Sequence, residues 1–483
     1  MIVADMVCTL FQLLQFTTVR FMTIASQSDM LASMTTQAQA YHYLQASALT
    51  DEVGARLQLA TSSPVDNAAI AHPHFFEGSL KQPRLSAELL TAVHIIVGSR
   101  FFTPANTLAK NLMLADPVVT SGGGILRFEG FSSCCSAYIR VDMLSGSYEG
   151  DIVGRGTTNV DFNAPMRAAL ARVRDASGLA LSVGQAAFTV HTGGNSVIEK
   201  KVELPLRWIR GMLEVQSYQA GMRKIVEVSG AEALRFLRSL PKASTSKTPL
   251  WISHGPFGLR TTTRPEPDSI RLVDSTRLRV LEALLPRVKS MAIFADEAQQ
   301  ASAWVLQFTS ARLTLALSAE VWRGFSGEGQ ALRALMNMQN ADALPRLRAH
   351  LQWQSILQAP ALAEQLDLPQ ASIEESLRIL GVSGLLGFDV TEGSYFHRVL
   401  PLDLSMAEDL HPRLAAAREL LKDNAVSIIK NQPLEASVQS ADIQHRVREV
   451  DGELRCTCPW FAKHQGLRGP CKHVLAVETM VND

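Results

Sequence analysis

Three cysteines and one histidine near the C-terminus have the types and spacing to hold a metal ion. Cys456 and Cys458 form one pair, Cys471 and His473 a second, and residues 459–470 separate them. Three thiolates and an imidazole make a common closed set for a structural, tetrahedral zinc ion. Each one-residue gap sets two donors two positions apart, so an extended strand or a tight turn must aim both at one ion. The surrounding sequence supplies such elements. His445–Val450 and Glu453–Cys456 flank Asp451-Gly452, a strong hairpin signal, and Val474–Met480 reads as one helix. The expectation is a ββα zinc finger with one structural Zn2+ on Cys456, Cys458, Cys471 and His473. His464, inside the intervening loop, matches no ligand position and reads as solvent-exposed.

The run Cys456-Thr457-Cys458-Pro459, then Cys471-Lys472-His473 with Val474, Leu475 and Ala476 behind it, resembles the SWIM zinc finger. That family's pattern is C-x-C, a variable loop, and C-x-H. All four ligand positions match, as do the proline after the second cysteine and the apolar run after the histidine. The resemblance spans residues 435–483 and implies a module that binds DNA or proteins. Two stretches farther upstream, Gly156–Asn163 and Tyr395–Arg398, are similar to bacterial SWIM proteins that act beside a MoxR-type AAA ATPase and a von Willebrand A-domain protein. That likeness implies a non-enzymatic adaptor in a chaperone-like system. The alternative is a DNA-binding regulator that uses the finger and a winged helix.

Composition excludes extremes. The 483 residues are 47% hydrophobic and 19% charged, with a mean hydropathy of +0.07, so ordinary globular domains are expected, two to four of them by length. Lys plus Arg and Asp plus Glu are 46 each, so no global field draws the chain to nucleic acid or anionic lipid. Six cysteines in so long a chain do not make a disulfide framework, and thiolate ligands imply a reducing compartment, the cytoplasm. Met6–Val19 is an uncharged, apolar-rich run broken by Thr and Gln. It falls short of the roughly 20 apolar residues of a membrane span and has no basic n-region for a signal peptide. Residues 1–33 read as a non-conforming leader, with Met34 as the expected start and no membrane partner.

The fold class expected is α+β multidomain: a large mixed N-terminal region, a winged-helix-like module and the C-terminal finger. The divisions are 34–240, an α+β domain; 241–268, a Pro/Ser/Thr/Gly-rich loop or boundary; 269–350, an α+β middle region; 351–402, the winged-helix-like module; 407–430, a connecting helix; and 435–483, the finger. Within them, Thr35–Leu59, Ser86–Ser99, Ala164–Ala176 and Pro205–Gln219 read as helical, although Ser86–Ser99 also suits a buried strand. Val118–Thr120, Ile125–Glu129, Ala137–Val141, Ala187–His191, Val197–Leu204, Ser302–Thr309 and Arg312–Leu317 read as strands. Glu214 and Glu227 interleave with Arg207, Arg210, Arg223 and Lys224, as on a solvated face.

Other chemistry is thin. Ser121–Gly124 lacks the Lys-Ser/Thr of a phosphate loop and reads as a hairpin turn. His72 and His74 have no third ligand, and the vicinal Cys134-Cys135 reads as packed thiols. No nucleophile–base pair or carboxylate dyad emerges, so no catalytic residues are assigned and the chain is read as a non-enzyme. The 118–205 β-rich region has no role legible from sequence. Pro360–Leu366, Gln370–Leu380 and a hairpin over Leu385–Leu400 give the winged-helix order. Between 360 and 400, six acids (Glu364, Asp367, Glu374, Glu375, Asp389 and Glu392) face only Arg378 and Arg398. Those signs oppose phosphate, so the module is read as protein-facing. Leu454–Val477 holds Arg455, Lys463, Arg468 and Lys472 and no acid, a modest attraction to nucleic acid or acidic protein.

Overall fold

Short runs of β-branched, aromatic and alternating residues, punctuated by Gly, Ser and Asn, fill the middle of the chain and close into one large sheet. A computed structural model describes residues 76–103, 117–151, 155–160, 167–168, 170–183, 202–242, 248–327, 329–336, 343–400, 402 and 411–482, and the strands at 39–43, 48–50, 55–59 and 61–64. The leader 1–33, Met34, His72, His74, the strand expected at 187–191 and residues 164–166 and 169 of the helix expected at 164–176 lie outside the described residues; of that helix, 167, 168 and 170 are helical, 171–172 turn, and Asp175–Ser177 is a single 3-10 turn.

Among the described residues the central sheet has eleven strands, in the spatial order Val202–Leu204, Gln39–Tyr43, Thr61–Pro64, Gly156–Val160, Val118–Gly122, Ile125–Phe131, Ala137–Met143, Ala311–Ser318, Ala301–Gln307, Ser290–Asp296 and Met222–Ser229. Strands from both sides of residues 241–268 meet in its middle, where Val141 opposes Leu313 and Ile139 opposes Leu315 in an antiparallel ladder. The 241–268 stretch is not only loop. Leu250–Gly255 and Gly258–Thr262 pair there as a hairpin, with Phe257 at its exposed tip. A Gly at the turn takes φ +100, which the punctuation-rich composition supplies but does not announce.

Within Thr35–Leu59 the described residues are strand rather than helix: Gln39–Tyr43, Ala48–Thr50 and Ala55–Leu59 all enter sheets. The alternation in Ala55-Arg56-Leu57-Gln58-Leu59 is the period-2 signal that a helical reading overlooks. Pro83–Gly98 and Leu206–Ala220 are helices, the first opened by Pro83 and the second preceded by Pro205. On the second, Trp208 packs edge-on to Phe131 of the sheet at 6.0 Å, with Gly211 fitted against the Phe131 ring. This helix has no solvated face at Glu214. That side chain is fully buried and caps the helix Leu332–Met336, accepting from the Gln330 and Ala331 amides at 2.8 and 3.4 Å.

Residues 359–366 and 370–382 are helices, and Leu386–Asp389 pairs with Ser394–His397. This hairpin lies on the central sheet. Cross-strand neighbours share a face, and one face carries Arg127, Asp142 and Arg312 in one row and Glu129 and Arg140 in the next. Asp389 descends into that face, its carboxylate 2.9 Å from Arg140 Nη2 and 2.7 Å from Arg312 Nη2. Phe396 sits 4.2 Å beneath the Arg127 guanidinium, and Arg398 pairs with Glu129. Asp389 therefore adds nothing to the acidic balance expected to oppose phosphate, because it is fully buried and neutralised by arginines from three strands. Burial alone would raise its pKa; the guanidinia of Arg140, Arg312 and Arg127 hold it well below the usual carboxylate range instead.

Candidate metal centre

The C-terminal elements are more extensive than a ββα unit. The expected connecting helix stops at Lys422, where Asn424 takes φ +51 and the Ala425 amide reaches back to Leu420 O at 2.9 Å. Two further strands follow, Val426–Asn431 and Leu434–Ser440. With Ile443–Val450 and Glu453–Cys456 they form a four-stranded meander. Its inner face carries Ala436, Val438 and Val447. They pack in one core with Leu414 and Ala417 of the helix Pro412–Lys422, with Val474, Leu475 and Val477 of the helix Lys472–Asn482, and with Leu332 and Leu335.

Each ligand is placed by a local signal. Cys456 ends the last strand opposite Val447, and that register turns its side chain to the buried face. Cys458 caps a short helix, Pro459–His464, where the spacing predicts only a loop; Pro459 occupies its first turn. Gln465, Gly466 and Gly469 then bend back with positive φ. Gly469 has no room for a side chain, since a Cβ there would lie 2.1 Å from Gly329 O. Cys471 immediately precedes the last helix and His473 lies in its first turn.

The four donor atoms all lie within 4.8 Å of one another and all four residues are buried. His473 Nδ1 is 3.7 Å from Cys456 Sγ and 4.0 Å from Cys471 Sγ. A tetrahedron with metal–sulfur bonds of about 2.3 Å and metal–nitrogen bonds of about 2.0–2.1 Å separates its donors by about 3.5–3.8 Å, so this set fits such an ion with little movement. Backbone amides of Cys458, Phe461 and Val474 point at the Cys456, Cys458 and Cys471 sulfurs at 3.4, 3.3 and 3.5 Å, which favours thiolates. Hydrogen bonds from Cys456 and then Cys471 hold Cys458 far below the usual thiol range. The same sharing, first with Cys458, pushes Cys456 up to about 11, and sharing with Cys456 and then Cys458 raises Cys471. A cation held among the three sulfurs favours all of them as thiolates. The His445 ring lies 4.4 Å from that of His473, a neighbour of the ligand that the residue pattern did not flag.

The remaining residues singled out from sequence scatter. Cys134 and Cys135 are both free thiols, and burial pushes Cys135 up to about 12. Gly156–Val160 and Tyr395–Arg398 come together: the Val399 amide donates to Thr157 Oγ1 at 3.0 Å. The described residues contain no helix long and apolar enough to cross a membrane.

The SWIM zinc finger family matches residues 445–482. No curated protein matches the chain. Among solved structures the chain is similar to Proliferating Cellular Nuclear Antigen from Entamoeba histolytica, at 11% identity over 51% of this chain and 98% of that one, with a TM-score of 0.31. It is also similar to the C. crescentus beta sliding clamp, at 14% identity over 51% of this chain and 66% of that one, with a TM-score of 0.32. Scores of that size carry no argument about fold or function.

Proposed function

We propose that this is a non-enzymatic, cytoplasmic binding protein whose C-terminal SWIM module is held in shape by one zinc ion and docks a partner. The observation that carries the reading is the closed donor set: Cys456, Cys458, Cys471 and His473, all buried and all within reach of one ion. Three thiolates with one imidazole suit zinc better than the harder divalent cations. Four protein donors leave the ion no open position for a substrate, so its work is structural. The thiolates also favour a reducing compartment.

The adaptor role beside a MoxR-type AAA ATPase and a von Willebrand A-domain protein rests on the resemblance at Gly156–Asn163 and Tyr395–Arg398; Val399, next to the second stretch, donates its amide to Thr157 of the first. The winged-helix-like reading of 351–402 belongs to the same proposal as a protein-facing module. Its hairpin is seated on the central sheet by Asp389 and Phe396, which leaves it no part to play in a DNA groove. The test is affinity capture of the full chain from nuclease-treated lysate, zinc-loaded against Cys458→Ser. An ATPase recovered only with the zinc-loaded chain, across a salt series, supports the adaptor. Equal recovery with both refutes a zinc-held docking site. A nucleic-acid reading is favoured by one local surface, developed next.

A further inference from the structure

Beside the metal loop, two separate parts of the chain build one cationic and aromatic surface. The loop after the strand Ala311–Ser318 contributes Trp322, which is 56% exposed, and Arg323, whose guanidinium lies 5.5 Å from the Trp322 ring centre. The metal loop contributes Lys463, His464 and Arg468. Arg468 ties the two parts, donating to Gly327 O at 2.6 Å and approaching His464 Nε2 at 3.5 Å. Arg413 completes the group. It donates to Arg468 O and Pro470 O at 2.9 and 3.0 Å and lies 4.6 Å over the Trp460 ring. The convergence shows in His464: partial burial first, then the positive charges of Arg468, Lys463, Arg323 and Arg413, hold its pKa below the ordinary value. One nearby acid, Glu320, is already engaged, by Trp322 Nε1 at 3.0 Å and by Arg271 at 3.2 Å.

We propose that this surface binds single-stranded nucleic acid, with a base stacked on Trp322 and the backbone phosphates against Arg323, Lys463 and the Arg468 neighbourhood. The inference rests on the docking reading of the finger and names a ligand for it. A cationic groove beside an exposed ring is the general arrangement for unpaired strands, because every base has a π-face and every nucleotide a phosphate. A duplex buries its base faces and would gain nothing from Trp322. An acidic peptide would meet the charges but would not need the ring. The sequence showed these residues only as a modest charge excess, because Trp322 and Arg323 lie far from the finger in the chain.

The experiment is fluorescence anisotropy of zinc-loaded, full-length protein with labelled oligothymidylate, a duplex of equal length, and oligoglutamate as competitor. Oligothymidylate should bind more tightly than duplex, with a salt slope near −3 for four cations at about 0.7 each on single strands. Trp322→Ala should weaken binding about tenfold and Trp322→Phe should restore most of it. Arg323→Gln with Lys463→Gln should reduce the slope by about 1.4. Retention of one zinc per chain checks the fold of each variant. The proposal is overturned if oligothymidylate does not bind at low salt, if Trp322→Ala leaves affinity unchanged, if duplex binds equally well, or if oligoglutamate displaces the strand at equal charge. In any of these cases, zinc-dependent capture of a protein partner would leave the docking reading standing.

Discussion

Replacing Asp389 with Asn should release the 386–397 hairpin from the central sheet. The Asp389 carboxylate is 0% exposed and pairs with Arg140 at 2.9 Å, Arg312 at 2.7 Å and Arg127 at 3.5 Å. Asn keeps the shape and removes the charge, leaving three buried guanidinia to share Asp142 and the rim carboxylate of Glu392. Breaking a buried pair from one side costs about 3–5 kcal/mol, because the stranded charges cannot regain water. At about 1.4 kcal/mol per decade, local opening should rise by at least about a hundredfold. Hydrogen exchange at the Thr391 and Glu392 amides, which donate to Asp389 Oδ1 at 3.0 and 3.4 Å, reads that opening directly. Glu392→Gln is the control. It is 40% exposed at the side chain and pairs with Arg312, so its loss should cost less than about 1 kcal/mol. If Asp389→Asn changes exchange no more than Glu392→Gln does, the ion cluster does not hold the hairpin, and a mobile wing returns as a reading.

Three other outcomes follow from the same physics. Zinc uptake at neutral pH should release at least two protons, from Cys456 and Cys471, whose thiols are shifted up. Affinity should therefore rise at least about a hundredfold per pH unit below the thiol range, and calorimetry in buffers of different ionisation enthalpy measures the count. Gly469→Ala should cost more than about 2 kcal/mol, from its φ of +74 and the contact with Gly329 O, while zinc stoichiometry stays at one; urea unfolding with metal analysis checks both. Burial holds His397 near about 4, and burial with Arg210 and Arg413 holds His411 near about 3. Both side chains are neutral when folded and take a proton near 6.5 when unfolded, so their contribution is present above 6.5 and lost as pH falls. At pH 5 each should cost on the order of 2 kcal/mol, seen as a lower urea midpoint than at pH 7 and partly restored by His411→Gln.

The clustering of Cys456, Cys458, Cys471 and His473 was legible because their chemistry is local: two donor pairs, a hairpin turn and a helix start, all within one stretch of sequence. The helices at 83–98 and 370–382 and the hairpins at 118–131 and 301–318 were legible for the same reason, through period and punctuation. The arginine–aspartate face was not. Arg127, Arg140 and Arg312 alternate with apolar residues, as on any sheet with one solvated side, and nothing local says that a hairpin 77 residues beyond Arg312 and 248 beyond Arg140 covers them. Glu214 was hidden in the same way, since its partners are amides of a distant loop. The strands at 426–440 were readable, because Asn424 stops the preceding helix, but alanine-rich propensity masked that stop. The finger is consequently larger than the family pattern, and it shares its core with the helix Leu332–Met336.

The central claim is that Cys456, Cys458, Cys471 and His473 close around one zinc ion, and X-ray absorption at the zinc edge of the full-length protein tests it most directly. The account predicts one zinc per chain, with three sulfurs at about 2.3 Å and one nitrogen at about 2.0–2.1 Å. A shell dominated by oxygen and nitrogen, or protein purified under reducing, zinc-replete conditions without stoichiometric zinc, would contradict it.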